Sequence, residues 1–226
     1  MATFVLIPGG WRGGWWYAPL AARLRAAGHA AYAVTLSGLE ETPASPSPIN
    51  LETHIADVVA LLSVEDLSDV VLCAHSYGGM VATGVADRAP ERLAALIYLD
   101  AFAPEHGQAW WDLAGDGYRE LAIAGAGHDG LTVMPRDGVD PRCRPHPLGT
   151  FVQRLRLTRQ PPELPRVFVY ASGWSATPFA AQYERLRNDP AWEVRVIHCA
   201  HDLVQHAPDE TFKILSDTAR EVTTAG

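Results

Sequence analysis

Ser76 is the residue of this chain best placed to do covalent chemistry. It follows the run Val70-Val71-Leu72-Cys73-Ala74-His75 and precedes Tyr77-Gly78-Gly79-Met80. An apolar, β-branched stretch stops at a serine among small residues, and a helix-forming segment comes next. This order predicts a strand–turn–helix with the serine on a bend too tight for bulky neighbours. The spacing Ala74-x-Ser76-x-Gly78 is Gly-x-Ser-x-Gly with the next smallest residue in the first place. A bare five-residue match would be weak; the flanking strand and helix give it weight. The plainer reading is a serine that caps the following helix. A hydroxyl is a poor nucleophile at neutral pH, so acyl transfer at Ser76 needs a base within hydrogen-bond reach and a group that orients the base.

Nine histidines are available. His201, in Ile197-His198-Cys199-Ala200-His201-Asp202-Leu203, follows a strand-like run and precedes the last helix, where the base of such a serine is expected. His198 shares the strand period of Val194 and Val196 and reads as a packed core residue. His206, at the start of a helix, reads as surface or cap, and His75 is expected to point away from the serine beside it. The loop after the strand at 166–171, Ser172-Gly173-Trp174-Ser175-Ala176-Thr177-Pro178, holds no carboxylate, and Glu184 falls inside a predicted helix. Asp100 ends the strand before it, in Tyr98-Leu99-Asp100-Ala101-Phe102. A carboxylate there could accept the Nδ1–H of His201 and fix its tautomer. Alternatively it ties down the start of the next segment.

The backbone N–H groups of Tyr77 and Gly10 are the expected donors to a developing oxyanion. Gly10 belongs to the loop Pro8-Gly9-Gly10-Trp11-Arg12-Gly13-Gly14. A phosphate cradle is the rival reading of this loop, but the Lys-Ser/Thr ending of a P-loop and the dinucleotide spacing are both missing. Trp11, Phe102, Trp110, Trp111 and Trp174 fall in loops or in a long irregular segment, as candidate substrate-binding residues or as plain packing. His198, His201, Asp202 and His206 cluster in sequence, but without helical His-x-x-x-His spacing; no metal site is expected.

The elements that must position these groups alternate. Strands are expected at 3–8, 30–36, 69–74, 93–99, 166–171 and 192–199. Helices are expected at 15–27 with Gly28 past its end, from an Asn50 cap to Leu62, at 77–88, at 178–188 and from Pro208 to Arg220. A proline- and serine-rich loop runs from Glu41 to Pro48. The pattern predicts an α/β fold, a mainly parallel sheet with helices on both faces. Between 101 and 165 no clean strand appears, and this stretch reads as an inserted lid. Ser76, Asp100, His201 and the Pro8–Gly14 loop all follow strands, so they could meet at the carboxyl edge of the sheet, where ligands of such sheets bind.

The 226 residues suit a single domain spanning 1–226. A formal charge of −8 without a dense Lys/Arg run argues against nucleic acid or an anionic membrane surface as partner. No stretch approaches the roughly 18 apolar residues of a membrane span. The start reads as a first strand rather than a signal peptide. Cys73, Cys143 and Cys199 show no metal spacing and two lie in apolar runs, which suits a reduced, cytoplasmic protein with buried thiols.

From these residues the chain resembles the α/β-hydrolase superfamily, and within it the small branch holding plant methyl esterases, hydroxynitrile lyases and bacterial polyketide-type or xenobiotic esterases. The opening Phe4-Val5-Leu6-Ile7-Pro8-Gly9-Gly10-Trp11-Arg12-Gly13-Gly14-Trp15-Trp16 looks like that branch's first strand and oxyanion loop. Leu99-Asp100-Ala101-Phe102-Ala103-Pro104-Glu105 resembles the strand end and lid start of bacterial members. Ala200-His201-Asp202-Leu203 with Ala207-Pro208-Asp209-Glu210 is similar to the histidine loop and last helix. The resemblance implies a serine hydrolase that cleaves a small or medium, hydrophobic or aryl carboxylic ester through an acyl-enzyme, without a cofactor. Its partner would be that ester; a homodimer is left open. The alternatives are a lyase or cyclase step at the same site, and a non-catalytic small-molecule-binding protein. Three departures stand out: Pro8 replaces the usual histidine of the oxyanion loop, Ala74 replaces the first elbow glycine, and no acid follows the strand at 166–171. The lysine that assists cyanide-releasing members has no counterpart near the pocket, since Lys213, in the last helix, is the only lysine.

Overall fold

A computed structural model describes residues 1–42, 48–175 and 177–225, with no side-chain detail beyond residue 222. Most of the expected Glu41–Pro48 loop, residues 43–47, lies outside the described residues, as does Ala176. Six strands form one parallel sheet: β1 (Thr3–Ile7), β2 (Ala30–Ala33), β3 (Val70–His75), β4 (Leu93–Leu99), β7 (Arg166–Ala171) and β8 (Glu193–Ile197), in the order β2-β1-β3-β4-β7-β8. The central strand β3 is buried at every position, which is why it reads as an unbroken apolar run.

Helices cover both faces. On one, α2 (Leu51–Val64), α3 (Gly78–Arg88) and α7 (Ala180–Leu186) contribute Ile55, Val58, Met80, Val85 and Leu186 to a core with Leu72, Leu96 and Phe168. On the other, α1 (Ala18–Ala26) and α9 (Pro208–Ala225) bring Leu20, Leu24 and Leu215 against Phe4, Leu6, Val71 and Ile97. The Asn50 cap is a reciprocal box: Asn50 Oδ1 accepts Thr53 N–H at 3.0 Å, and Thr53 Oγ1 accepts Asn50 N–H at 3.2 Å. Gly28 takes φ +85°, the left-handed turn that ends α1.

The segment between β4 and β7 is more structured than its sequence pattern suggests. It holds three short helices, α4 (Trp110–Leu113), α5 (Gly115–Ala124) and α6 (Gly149–Val152), and an antiparallel ribbon of β5 (Thr132–Val133) and β6 (His146–Pro147). Its aromatic and apolar residues Trp110, Val133, Phe151 and Leu155 join the first core, so tertiary contact builds what no local periodicity announces. A one-turn helix α8 (Leu203–His206) precedes α9. Two other expectations change. His198 is exposed, because β8 is the edge of the sheet; its Nδ1 lies 3.3 Å from Ser172 Oγ. Of the thiols, Cys73 is buried, whereas Cys143 and Cys199 are half-buried. Among the described residues no helix is long and apolar enough to cross a membrane.

Candidate active site

Ser76 occupies the bend between β3 and α3 with φ +53°, a left-handed conformation that a side chain adopts at a cost. Its backbone is pinned: the Ser76 carbonyl accepts N–H groups from Gly79 at 3.1 Å and Phe102 at 3.0 Å. The small residues behind it are a steric necessity. A Cβ on Gly79 would lie 2.0 Å from the Phe102 carbonyl oxygen, and one on Gly78 would lie 2.7 Å from that of Ile7. Substituents there would push α3 away from the strand ends it packs on.

Asp100, at the end of β4, is wholly buried and also left-handed, with φ +42°. One carboxylate oxygen accepts the Ala171 N–H at 3.1 Å. The other accepts the Trp174 indole N–H at 3.2 Å and lies 2.8 Å from His201 Nδ1. Burial raises the Asp100 pKa, and the hydrogen bonds from His201, Ala171 and Trp174 work against that rise. With Nδ1 committed to Asp100, His201 keeps Nε2 for other work. His201 and Ser76 line one cavity of about 290 Å³; no hydrogen bond joins them among the described residues. In unliganded sites such contacts are commonly loose and tighten around substrate.

His201 is held on several sides. The Trp174 and Phe179 rings lie 4.8 and 5.6 Å from it, centroid to centroid. His75 packs 4.5 Å away on another side, sandwiched against Trp16, and its Nε2–H donates to the His201 carbonyl at 3.1 Å. Burial first, then the neighbouring His201 and Arg12, lower the His75 pKa well below the usual value, so this imidazole is neutral. Asp202, the next residue, receives both arms of the Arg12 guanidinium at 2.8 and 2.7 Å. That pair ties the histidine loop to the glycine-rich loop after β1.

Gly10 and Tyr77 border a second, smaller recess beside Ser76, and their N–H groups have no acceptor among the described residues. Two buried imidazoles brace them. His146 Nδ1 accepts the Trp11 N–H at 3.1 Å, and its Nε2–H donates to Thr150 Oγ1 at 2.9 Å. His54 Nε2–H donates to the Ser37 carbonyl, leaving Nδ1 to accept the Tyr77 hydroxyl, each at 2.9 Å. Both bonding patterns require neutral rings, and burial lowers both pKa values.

Of the aromatic residues expected to bind substrate, Trp11 borders both spaces, and Phe102 and Trp110 border the recess. Trp111 and Trp174 border neither: Trp111 packs against the core, and Trp174 is turned to Asp100 and His201. Phe151, Phe179 and Tyr118 wall the recess instead. The weak signal for them was their place in or just past the irregular segment. The cluster of His198, His201, Asp202 and His206 does not form. His75, His201 and Asp202 do converge within 4.8 Å, but Asp202 already holds a guanidinium and His75 Nε2–H a carbonyl. A separate groove of about 740 Å³, lined from α3 and α7 among others, holds none of Ser76, Asp100 or His201.

The model of the alpha/beta hydrolase family matches residues 4–216. The chain belongs to that family. Over 235 aligned residues, 93% of this chain and 96% of the relative, it is 37% identical to the carbendazim hydrolyzing esterase of Nocardioides sp. (strain SG-4G). It is 35% identical over 105 residues to methylesterase 7 of Arabidopsis thaliana, a match spanning 45% of this chain and 40% of that protein. Among solved structures, an extracellular alpha/beta-hydrolase from a Paenibacillus species superposes with TM-score 0.80 at 22% identity, covering 97% and 100% of the two chains. A pyrethroid hydrolase from Sphingobium faniae does so with TM-score 0.76 at 20% identity, covering 97% of each. These two establish the shared fold.

Proposed function

We propose that this alpha/beta hydrolase cleaves carboxylic esters through an acyl-enzyme on Ser76. The observation that carries the reading is the buried Asp100 carboxylate 2.8 Å from Nδ1 of His201, a residue that lines the same cavity as Ser76. Ser76 Oγ attacks the ester carbonyl as His201 Nε2 takes its proton. Asp100 holds the tautomer and offsets the charge of the imidazolium. The N–H groups of Gly10 and Tyr77 receive the oxyanion, and such donors act strongly because they are set before the charge appears. His201 returns the proton to the departing oxygen, and water then repeats the sequence on the acyl-serine. A relative named for esterase activity along nearly its whole length supports the same reaction class.

The first test is labelling with a fluorophosphonate. The wild-type chain is expected to react at Ser76; Ser76→Ala is expected to stay unlabelled and His201→Ala to label far more slowly. Normal labelling of Ser76→Ala would overturn the assignment.

A further inference from the structure

The oxygen of Asp100 that meets His201 has a second donor. Oδ2 lies 2.8 Å from His201 Nδ1 and also accepts the Trp174 indole N–H at 3.2 Å, while Oδ1 accepts the Ala171 N–H at 3.1 Å. The last strand residue of β7 and the loop after it therefore hold both oxygens before His201 is counted. The torsion that turns a carboxylate plane is soft, so a single donor would leave it free to rotate. The same indole lies 4.8 Å from the His201 imidazole, centroid to centroid, at 34°. One side chain holds the carboxylate by its edge and the imidazole by its face. The backbone sets Trp174 in that place. Ser172 and Gly173 donate their N–H groups to the Ile197 and Cys199 carbonyls at 2.9 and 2.8 Å, which stitches the loop to the chain leading into His201. A Cβ on Gly173 would lie 2.6 Å from the Cys199 carbonyl oxygen, so the close approach requires glycine.

Trp174 borders neither the cavity of Ser76 nor the recess beside it, so any effect on the reaction passes through its neighbours. Resting on the serine-esterase reading above, we infer that Trp174 is a positioning residue for the reaction, whose indole N–H aims the Asp100 carboxylate at His201 Nδ1. The loop at 172–178 offers no carboxylate of its own; it contributes instead the donor that steadies one from β4. Without that N–H, one of the two fixed points of the carboxylate is gone, and the burial that favours its neutral form is less opposed. An Asp100 that has turned, or has taken a proton, no longer fixes the His201 tautomer. Proton transfer from Ser76 then slows, while the space open to substrate stays as it was.

The test is Trp174→Phe in the full chain, which keeps an aromatic ring and removes the N–H; Trp174→Met, also without a donor, replaces it if that variant does not fold. On phenyl acetate the variant is expected to lower kcat about 10-fold, the low end for a hydrogen bond to a charged group, and to change KM by less than about 2-fold. A double-mutant cycle then asks whether the effect runs through Asp100. Asp100→Gly removes the carboxylate and suits the φ of +42° at that position. Fluorophosphonate labelling of Ser76 is timed in both backgrounds. Trp174→Phe is expected to slow it about 10-fold when Asp100 is present and by less than about 2-fold when it is absent. A residue that merely packs would cost the same in each. Equal slowing in both backgrounds, an unchanged kcat, or a loss confined to KM would overturn the role of Trp174 and leave the esterase reading standing. Normal labelling of Ser76→Ala would overturn both.

Discussion

Asp100 keeps its charge inside the protein because three N–H donors converge on it, from Ala171, Trp174 and His201. An uncompensated buried carboxylate would protonate instead. Replacing it by asparagine keeps the size and loses the acceptor that fixes the imidazole. Asp100→Asn is expected to lower kcat by about 10⁴-fold, with a much smaller change in KM, measured on a short aryl ester. The variant also has a stability signature. Burial raises the Asp100 pKa, so the folded wild type holds a proton that the unfolded chain has lost across the window just above the ordinary carboxylate value. Stability from this group falls as pH rises through that window. Relative to wild type, the variant is expected to gain urea resistance as pH is raised across it. Asp100 was legible in the sequence because it ends a buried strand while the loop at 172–178 offers no carboxylate. The role of Trp174 was not: its bond to a residue 74 positions away leaves no local pattern.

The elbow, the strand ends and the inserted segment are one packing unit. Phe102 donates its N–H to Ser76, and its own carbonyl lies where a Cβ on Gly79 would have to be. Gly79→Ala is therefore expected to cost about 1–3 kcal/mol or more, read from the urea midpoint. It is also expected to slow labelling of Ser76, since relief requires α3 to move. The strand and helix order was legible because continuous apolar runs and glycine or proline punctuation are local signals. The edge position of β8 was not, since strand order is a property of the whole sheet. That is why His198, in step with Val194 and Val196, reads as core and is found exposed. The inserted segment was opaque for a related reason: the stacking of Trp110 on Phe151 joins residues with no shared period.

Across the whole molecule three buried imidazoles, His54, His75 and His146, are kept neutral by burial. The unfolded chain protonates each near pH 6.5. Below that value it binds protons the native state refuses, so stability falls as pH drops, by up to about 1.4 kcal/mol per pH unit for each ring. The raised pKa of Asp100 acts in the opposite sense, but it is one group against three. Urea midpoints are expected to decline steadily from pH 6.5 toward pH 5, because the unfolded chain gains protons on His54, His75 and His146 that the folded chain does not take. A midpoint unchanged from pH 7 to pH 5 would contradict this account. Trp11, Ser76 and Asp100 meanwhile share an awkward distinction: each bears a side chain at positive φ. Glycine would relax all three, at about 1 kcal/mol or more apiece, and at Ser76 and Asp100 would remove the hydroxyl and the carboxylate on which the proposed reaction depends. Adaptation for heat tolerance alone would drift toward a sturdier and inert relative; a chain that still reacts must find its endurance elsewhere.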